Sequence, residues 1–416
     1  MIQKLKGTYD VYGDLSIKHN YAKKMFEAVC ESYNYSYIET PLIERSELFH
    51  RGVGDSTDIV TKETYDFKDR GNRDNTLRPE GTAGVARAII ENKLYGTLPL
   101  KLYYMGSMYR YERPQKGRYR ELRQLGIESY GSSNPIMDAE VISLGVNYLN
   151  SLGIKNVTVK INSIGGPNTR EKYREALINH FKDNIDDFCD DCKDRLNKNP
   201  LRILDCKVDC NNELIKNAPS ILNFLSKEEK EHFDKVLKYL DVLDVYYEVD
   251  DTLVRGLDYY TNTVFEFVTD IKDIGSVGGG GRYDNLLTSL DGPSVPAVGL
   301  AFGMDRIISV IDELGINNNL NNDLDIYLLT ITDNENNFAL NLASSLRLNG
   351  FKVDMDLTGK NMKSKFKEAD RYNSKFVIII GEEEVKENTL TIRDNLTKEE
   401  EKIKIDNLID YLNTNI

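Results

Sequence analysis

Two runs of β-forming residues, 101–112 and 121–130, flank the loop RPQKGRYR, and their alternation constrains the fold of this chain more than any other feature. Successive strand residues point to opposite sides, so Gln124, Gly126 and Glu128 share one face while Leu125 and Ile127 share the other. The same period puts Arg110 and Glu112 together on one face of the first run. Such strands pack their apolar face inward and present a row of polar groups on the other. A ligand-binding sheet face has that form, and so does a solvated one.

Around this pair the chain alternates helical and extended patterns. Ile17, Tyr21, Ala22, Met25, Phe26, Val29, Cys30 and Tyr33 recur at helical spacing and predict a helix over 17–33 with one apolar face. A strand over 35–40 stops at Pro41, which suits a sheet edge or a subunit contact. The loop TLRPEGT leads into a helix through AGVARAII, with Thr82 as its expected N-cap. Residues 166–233 turn rich in Asn, Lys and Asp with short helical patterns such as 169–181, which predicts an inserted helical subdomain. Strand signals return at 264–268, followed by GSVGGGGRYDNL and the helix-forming VGLAFGMDRIISVI. After a polar linker at 313–323, β-type runs at 324–331, 351–357 and 376–380 alternate with helical patterns at 337–348 and 362–372. They predict a small parallel α/β domain.

At 416 residues the chain is long enough for two or three domains with cores of their own. A 40% hydrophobic content without low-complexity tracts excludes a disordered chain. No apolar run approaches the roughly 20 residues of a membrane span, and the start, MIQKLKGTYD, lacks the apolar centre of a signal peptide. Five cysteines suit a reducing compartment, so a cytoplasmic location is expected. The four histidines are scattered, which makes a histidine-rich metal site or a Ser-His-Asp triad unattractive. The net charge of −13 by itself argues against a nucleic-acid partner.

One segment reverses that local balance. YRYERPQKGRYRELR, residues 109–123, holds five Arg, one Lys and two Glu, a net +4 inside an acidic chain. Arginines interleaved with aromatic rings suit phosphate-bearing ligands, since guanidinium binds phosphate bidentately and stacks on ring faces. A charged hairpin tip in solvent has the same composition.

Extended to YRYERPQKGRYRELRQLGIESYG, the segment resembles the second signature motif of the class II aminoacyl-tRNA synthetases, in the form found in the histidyl-tRNA synthetase family. LVRGLDYYTNTVFEF at 253–267 and GGGGRYDNL at 278–286 resemble that family's two histidine-specific signatures. ETPLIE at 39–44 is similar to the first class motif, and GLAFGMDRI at 299–307 to the third. The resemblance spans the chain in family order. It implies an α+β fold: a mainly antiparallel class II sheet flanked by helices, with a helical insert and a carboxyl-terminal α/β anticodon-binding domain. The expected division is a catalytic core at 1–165 and 234–318, the insert at 166–233, and the anticodon domain at 324–416.

The resemblance also implies roles. Arg110 is expected on the α-phosphate of ATP, Glu112 on the adenine edge and Arg306 on the β,γ end. Glu80, Gly81 and Thr82 are expected at the amino group of L-histidine. Gln124, Glu128, Tyr259 and Tyr260 complete its pocket, with Glu128 facing the imidazole, and Arg255 is the catalytic arginine. Mg²⁺ is expected with ATP, tRNA(His) and a second copy of the chain are the expected partners, and the loop 113–120 should meet the acceptor stem through Gln115 and Arg120. The residue chemistry is compatible: attack of a carboxylate on a phosphorus atom needs positioned cations more than a general base.

Two motifs need separate readings. The glycines 278–281 lack both a P-loop and a GxGxxG pattern; they suit a backbone passing close under a substrate, with Arg282 and Tyr283 fixing the turn. Cys189, Cys192, Cys206 and Cys210 are spaced C-x2-C-x13-C-x3-C, close to a zinc site. Since the resemblance does not require a metal there, reduced thiols are expected, with structural zinc as the alternative. A non-catalytic regulatory subunit of ATP phosphoribosyltransferase is the main competing function; that paralogue lacks the anticodon domain. A synthetase for glycine, proline or threonine shares the class motifs, but LVRGLDYY and GGGGRYD speak against it.

Overall fold

A computed structural model describes the chain except at residues 55, 56, 58, 115, 116, 272, 273, 317–322, 358 and 360. It divides into two compact units, Met1–Asn319 and Leu320–Ile416. The expected linker at 313–323 falls largely outside the described residues. Among the described residues no helix is long and apolar enough to cross a membrane.

The strands of the first unit are β1 (Ser36–Tyr37), β2 (Ile43–Arg45), β3 (Tyr65–Lys68), β4 (Asp74–Leu77), β5 (Leu100–Tyr109), β6 (Glu121–Tyr130), β7 (Val157–Ser163), β8 (Tyr247–Val249), β9 (Thr261–Thr269), β10 (Ser276–Arg282) and β11 (Ala297–Gly303). Eight form one sheet in the order β1-β5-β6-β11-β10-β9-β7-β8, antiparallel except at the edge pairs β1–β5 and β7–β8. The others form the small sheet β2-β4-β3. The alternation read in β6 holds: Leu125 and Ile127, with Phe265, Phe267 and Phe302, face an apolar core. Phe26, Tyr148, Val236 and Ile311 close that core from the helices Asp14–Ser32, Pro135–Ser151, Lys227–Val242 and Met304–Glu313.

Local signals set these helices. Asn134 caps Pro135–Ser151 by accepting from the Ile136 N–H at 3.1 Å, with proline at the first turn where no N–H is needed. Ser226 and Glu229 form a capping box on Lys227–Val242. The Glu229 carboxylate also accepts from the Gly166 N–H and the Thr169 hydroxyl, both at 2.6 Å, pinning the start of helix Pro167–Phe181. The helix Lys227–Val242 runs across residue 233, and its Phe233, Val236 and Leu240 belong to the main core.

Three local expectations change. The strand expected over 35–40 is ladder-paired only at Ser36–Tyr37. β5 ends at Tyr109, so Arg110 and Glu112 lie beyond the strand: the Tyr111 N–H donates to the Glu63 carbonyl at 2.7 Å and draws the chain off the ladder. Thr82 is the first helical residue rather than the N-cap. Glu80 does the capping instead, its carboxylate accepting from the Thr82 and Ala83 N–H groups, each at 2.7 Å.

The second unit holds β12 (Ile326–Thr330), β13 (Val353–Met355), β14 (Phe376–Ile380), β15 (Thr389–Asp394) and β16 (Glu400–Lys404), ordered β13-β12-β14-β15-β16. β13, β12 and β14 are parallel, as the sequence predicts, whereas β15 and β16 add an antiparallel edge, so the sheet is mixed. Those two strands bury only Leu390, Ile392 and Ile403, too thin a stripe to signal a strand. Helices cover both faces: Asn336–Leu348 and Leu408–Asn415 over Ile326 and Leu328, and Met362–Arg371 over Tyr327 and Leu329.

Candidate active site

The open face of the large sheet is floored with residues that lack long side chains. Gly126 on β6 stands beside Ala301 on β11, which stands beside Gly279 on β10. Gly299 pairs with Glu128, and Gly303 with Gln124. This floor leaves a cavity of about 540 Å³. Glu80, Thr82, Arg110, Glu112, Gln124, Glu128, Arg255, Tyr259, Tyr260 and Arg306, from five separate stretches of sequence, all line it.

Two expected residues stand elsewhere. Gly81 lies against the Tyr104 ring, which a Cβ at either Gly81 or Gly126 would strike. Arg120 is outside the cavity lining: its guanidinium covers the Tyr111 ring at 3.9 Å, and its N–H donates to the Gly7 carbonyl at 2.8 Å. Gln115 lies outside the described residues.

One end of the cavity is acidic and buried. Glu128 is buried and accepts a hydrogen bond from the Tyr283 hydroxyl. Burial pushes its carboxyl up to about 8 against the hydrogen bonds from Tyr283 and Thr82, and the neighbouring Glu80 adds to the rise. Glu80 is raised as well, by burial that outweighs its bonds from the Ala83 and Thr82 N–H groups. Tyr259 stacks obliquely on Tyr260 at 4.7 Å and meets Tyr283 at 5.5 Å, forming an aromatic wall. The Gln124 Oε1 is buried without a hydrogen-bond partner among the described residues. Two carboxyls and an unpaired carbonyl, all buried, suit a ligand bearing N–H donors or positive charge.

The other end is cationic. Arg255 pairs with Glu266 and lies over β10, where a Cβ at Gly279 would stand 2.8 Å from its Nη1. Only glycine leaves that guanidinium room to lie flat on the strand. Burial lowers the Arg255 pKa, and the Glu266 carboxylate together with Tyr260 and Tyr259 more than offsets it. Arg110 donates to the Pro79 carbonyl at 2.9 Å, and Glu112 stands 3.9 Å from Arg110 and 3.5 Å from Arg118. Arg306 donates to the Ser276 carbonyl, its pKa lowered by burial and then by the Arg118 charge. Lys207 is lowered for the same two reasons. Guanidinium and ammonium groups converging at this density repel one another until an anion arrives.

Sequence reasoning missed Arg118, Lys207, Glu266 and Tyr283. Glu266 carried a readable signal, a lone acid in the apolar strand TNTVFEFVT. Tyr283 was expected only to fix a turn. Arg282 does that, through Asp138, the Ser132 carbonyl at 2.9 Å and Asp284 at 3.2 Å, while Tyr283 reaches into the pocket. Of the four cysteines expected together, Cys189, Cys192 and Cys206 converge with Asp209, and Cys210 is exposed apart from them.

Comparison with known proteins agrees with this geometry. The family model described as histidyl-tRNA synthetase matches residues 10–307, and one described as an anticodon binding domain matches 325–415. A histidine–tRNA ligase of Bacillus cytotoxicus is 45% identical over 416 residues, covering 99% of this chain and 98% of that one. One from Staphylococcus haemolyticus is 44% identical, covering 99% of each. The crystal structure of apo Staphylococcus aureus histidyl-tRNA synthetase superposes with a TM-score of 0.84 at 39% identity, covering 99% of this chain and all of that one. The chain belongs to the histidyl-tRNA synthetase family, its large antiparallel sheet carrying the class II architecture and its second unit the anticodon-binding domain.

Proposed function

We propose that the chain is an ATP-dependent histidine–tRNA ligase and that the cavity over β6, β11 and β10 is its active site. The observation that carries this reading is the polarity of one cavity, acidic and aromatic around Glu128 and cationic around Arg110, Arg255 and Arg306. L-histidine lies with its imidazole toward Glu128 and Gln124 and its amino group toward Glu80 and Thr82, beside Tyr259 and Tyr260. The carboxylate then points at the cationic end. ATP enters with its divalent cation, Mg²⁺, as substrate: Arg110 takes the α-phosphate, Glu112 the adenine edge and Arg306 the β,γ end. A histidine carboxylate oxygen attacks the α-phosphorus, the bond to the β-phosphate breaks and pyrophosphate leaves. Arg255 neutralises the charge that gathers on the α-phosphoryl oxygens. The terminal ribose hydroxyl of tRNA(His) next attacks the acyl carbon and releases AMP.

In this reading residues 166–233 form an inserted helical domain between the halves of the catalytic core, and 324–416 read the anticodon. The loop 113–120 meets the acceptor stem. Arg120, stacked on Tyr111, fits the anchor of that loop better than a free contact, and the exposed Arg113 is available to phosphates. The exposed Tyr37, Leu42 and Ile43 around Pro41 support a homodimer contact there. The reaction belongs in the cytoplasm. The regulatory-subunit alternative is disfavoured by the anticodon-binding match at 325–415. Histidine-dependent exchange of labelled pyrophosphate into ATP tests the proposal; a folded protein that gives no exchange with histidine rules it out.

A further inference from the structure

Cys189, Cys192, Cys206 and Asp209 meet at one point of the helical stretch, with one ligand atom from each lying within 4.8 Å of all the others. The helix Asp190–Lys198 explains the first pair: Cys189 is its N-cap residue and Cys192 lies in its first turn, so the C-x2-C spacing gathers both thiols at one helix end. The second pair comes from a turn in which the Asp209 N–H donates to the Cys206 sulfur at 3.4 Å.

The distances are informative. The sulfurs of Cys189 and Cys206 stand 3.7 Å apart, and the Asp209 carboxylate is 3.5 Å from the Cys206 sulfur. A disulfide requires about 2.05 Å, so the thiols are unbonded. Tetrahedral zinc with Zn–S of about 2.3 Å and Zn–O of about 2.0 Å has S···S edges of about 3.8 Å and S···O edges of about 3.5 Å. Two of the six edges thus already match a tetrahedron of that size, and the other four lie within 4.8 Å. Asp209 is half-buried, and its carboxylate accepts from the Cys189 N–H at 3.1 Å as well as from the Cys206 thiol, which holds it against the point where the three sulfurs meet. Cys210, the fourth ligand suggested by spacing alone, is exposed, and its thiol donates to the Lys207 carbonyl at 3.5 Å.

We propose that Cys189, Cys192, Cys206 and Asp209 bind one divalent cation of the zinc class. The site is structural, because four protein ligands leave no open coordination position. It ties helix Asp190–Lys198 to the 206–209 turn, whose neighbours Asp205 and Lys207 form part of the cavity wall.

The test is elemental analysis of full-length protein purified without chelator, alongside the Cys210→Ser and Asp209→Asn variants. The expected result is about one equivalent of zinc per chain in the parent and in Cys210→Ser, and several-fold less in Asp209→Asn. Cobalt exchanged into the parent should give the thiolate charge-transfer and visible bands of tetrahedral coordination. Zinc below about a tenth of an equivalent in the parent, with no cobalt bands after reconstitution, overturns the site. Metal lost from Cys210→Ser but kept by Asp209→Asn overturns the assignment of Asp209. None of these readouts depends on ligase activity, so failure here leaves the proposed reaction untouched.

Discussion

The Tyr283 hydroxyl donates a hydrogen bond to the Glu128 carboxylate across the floor of the cavity. Tyr283 follows β10, Glu128 sits on β6, and the strand between them presents Gly299 opposite Glu128. A side chain at 299 would occupy the space of the carboxylate itself. The bond therefore fixes the acid that, under the proposed function, faces the imidazole N–H.

Tyr283→Phe should keep the ring contacts with Tyr130 at 6.1 Å and Tyr259 at 5.5 Å while freeing the carboxylate. With its carboxyl raised to about 8, Glu128 is uncharged in the ligand-free protein near neutrality. A hydrogen bond between two uncharged groups is worth about 0.5–1.5 kcal/mol, so KM for histidine should rise roughly 2- to 10-fold with a smaller change in kcat. Pyrophosphate exchange at graded histidine concentrations measures both. An unchanged KM would show that Glu128 is held without Tyr283.

Glu128 also gives the ligand-free protein a pH dependence. Its carboxyl is raised from 4.5 to about 8 by burial, so between those values the folded state holds a proton that the unfolded chain has released. Its contribution to stability is therefore fully present below pH ~4.5 and is lost as pH rises through about 8. Glu80, raised by burial too, acts with the same sign. Melting temperature should fall between about pH 6 and pH 9, and less steeply in Glu128→Gln. Parallel slopes in the two proteins would assign the dependence to other groups.

How far the sequence reached depended on whether a signal was periodic or convergent. Residues 121–130 appear as a strand with the expected bounds because Leu125 and Ile127 alternate there with Gln124, Gly126 and Glu128, and the apolar face of helix Asp14–Ser32 followed from its spacing. Ten of the expected pocket residues meet in one cavity because motif resemblance carries their position as well as their type. Arg118 and Lys207 were invisible as pocket members because nothing local marks which of many charged residues turn inward, whereas Glu266 was marked as a lone acid in an apolar strand. The Glu80 cap was hidden by a plausible rival, since Thr82 has the chemistry of an N-cap and only the backbone shows the helix already begun. Asp209 escaped a reading that counted cysteines.

The buried pair Arg282–Asp138 should matter for stability rather than specificity. Both side chains are almost fully buried, and Arg282 also holds the Ser132 carbonyl. Asp138→Ala leaves the guanidinium buried with Asp284 as its only carboxylate partner among the described residues. Loss of one member of such a pair costs about 3–5 kcal/mol, which chemical denaturation should register as a lower midpoint. KM for histidine measured well below that midpoint should stay within a few-fold of the parent.

Arg255 and Gly279 form a functional unit that two variants can dissect. Arg255→Ala removes the cation expected to stabilise charge on the α-phosphoryl group, and exchange should fall by about 10²-fold or more while histidine still binds. Gly279→Ala leaves Arg255 in the sequence but adds a methyl 2.8 Å from its Nη1 and 2.5 Å from the Phe265 carbonyl. The guanidinium can move out of that clash, whereas the carbonyl belongs to the ladder of β9 against β10, so the strand pair under Arg255 must shift as well. Gly279→Ala should thus reproduce much of the kinetic loss of Arg255→Ala, and the double variant should be little worse than either single one. Near-normal exchange in Arg255→Ala would remove its catalytic role. Fully additive losses in the double variant would show that Gly279 serves the site by some route other than seating Arg255.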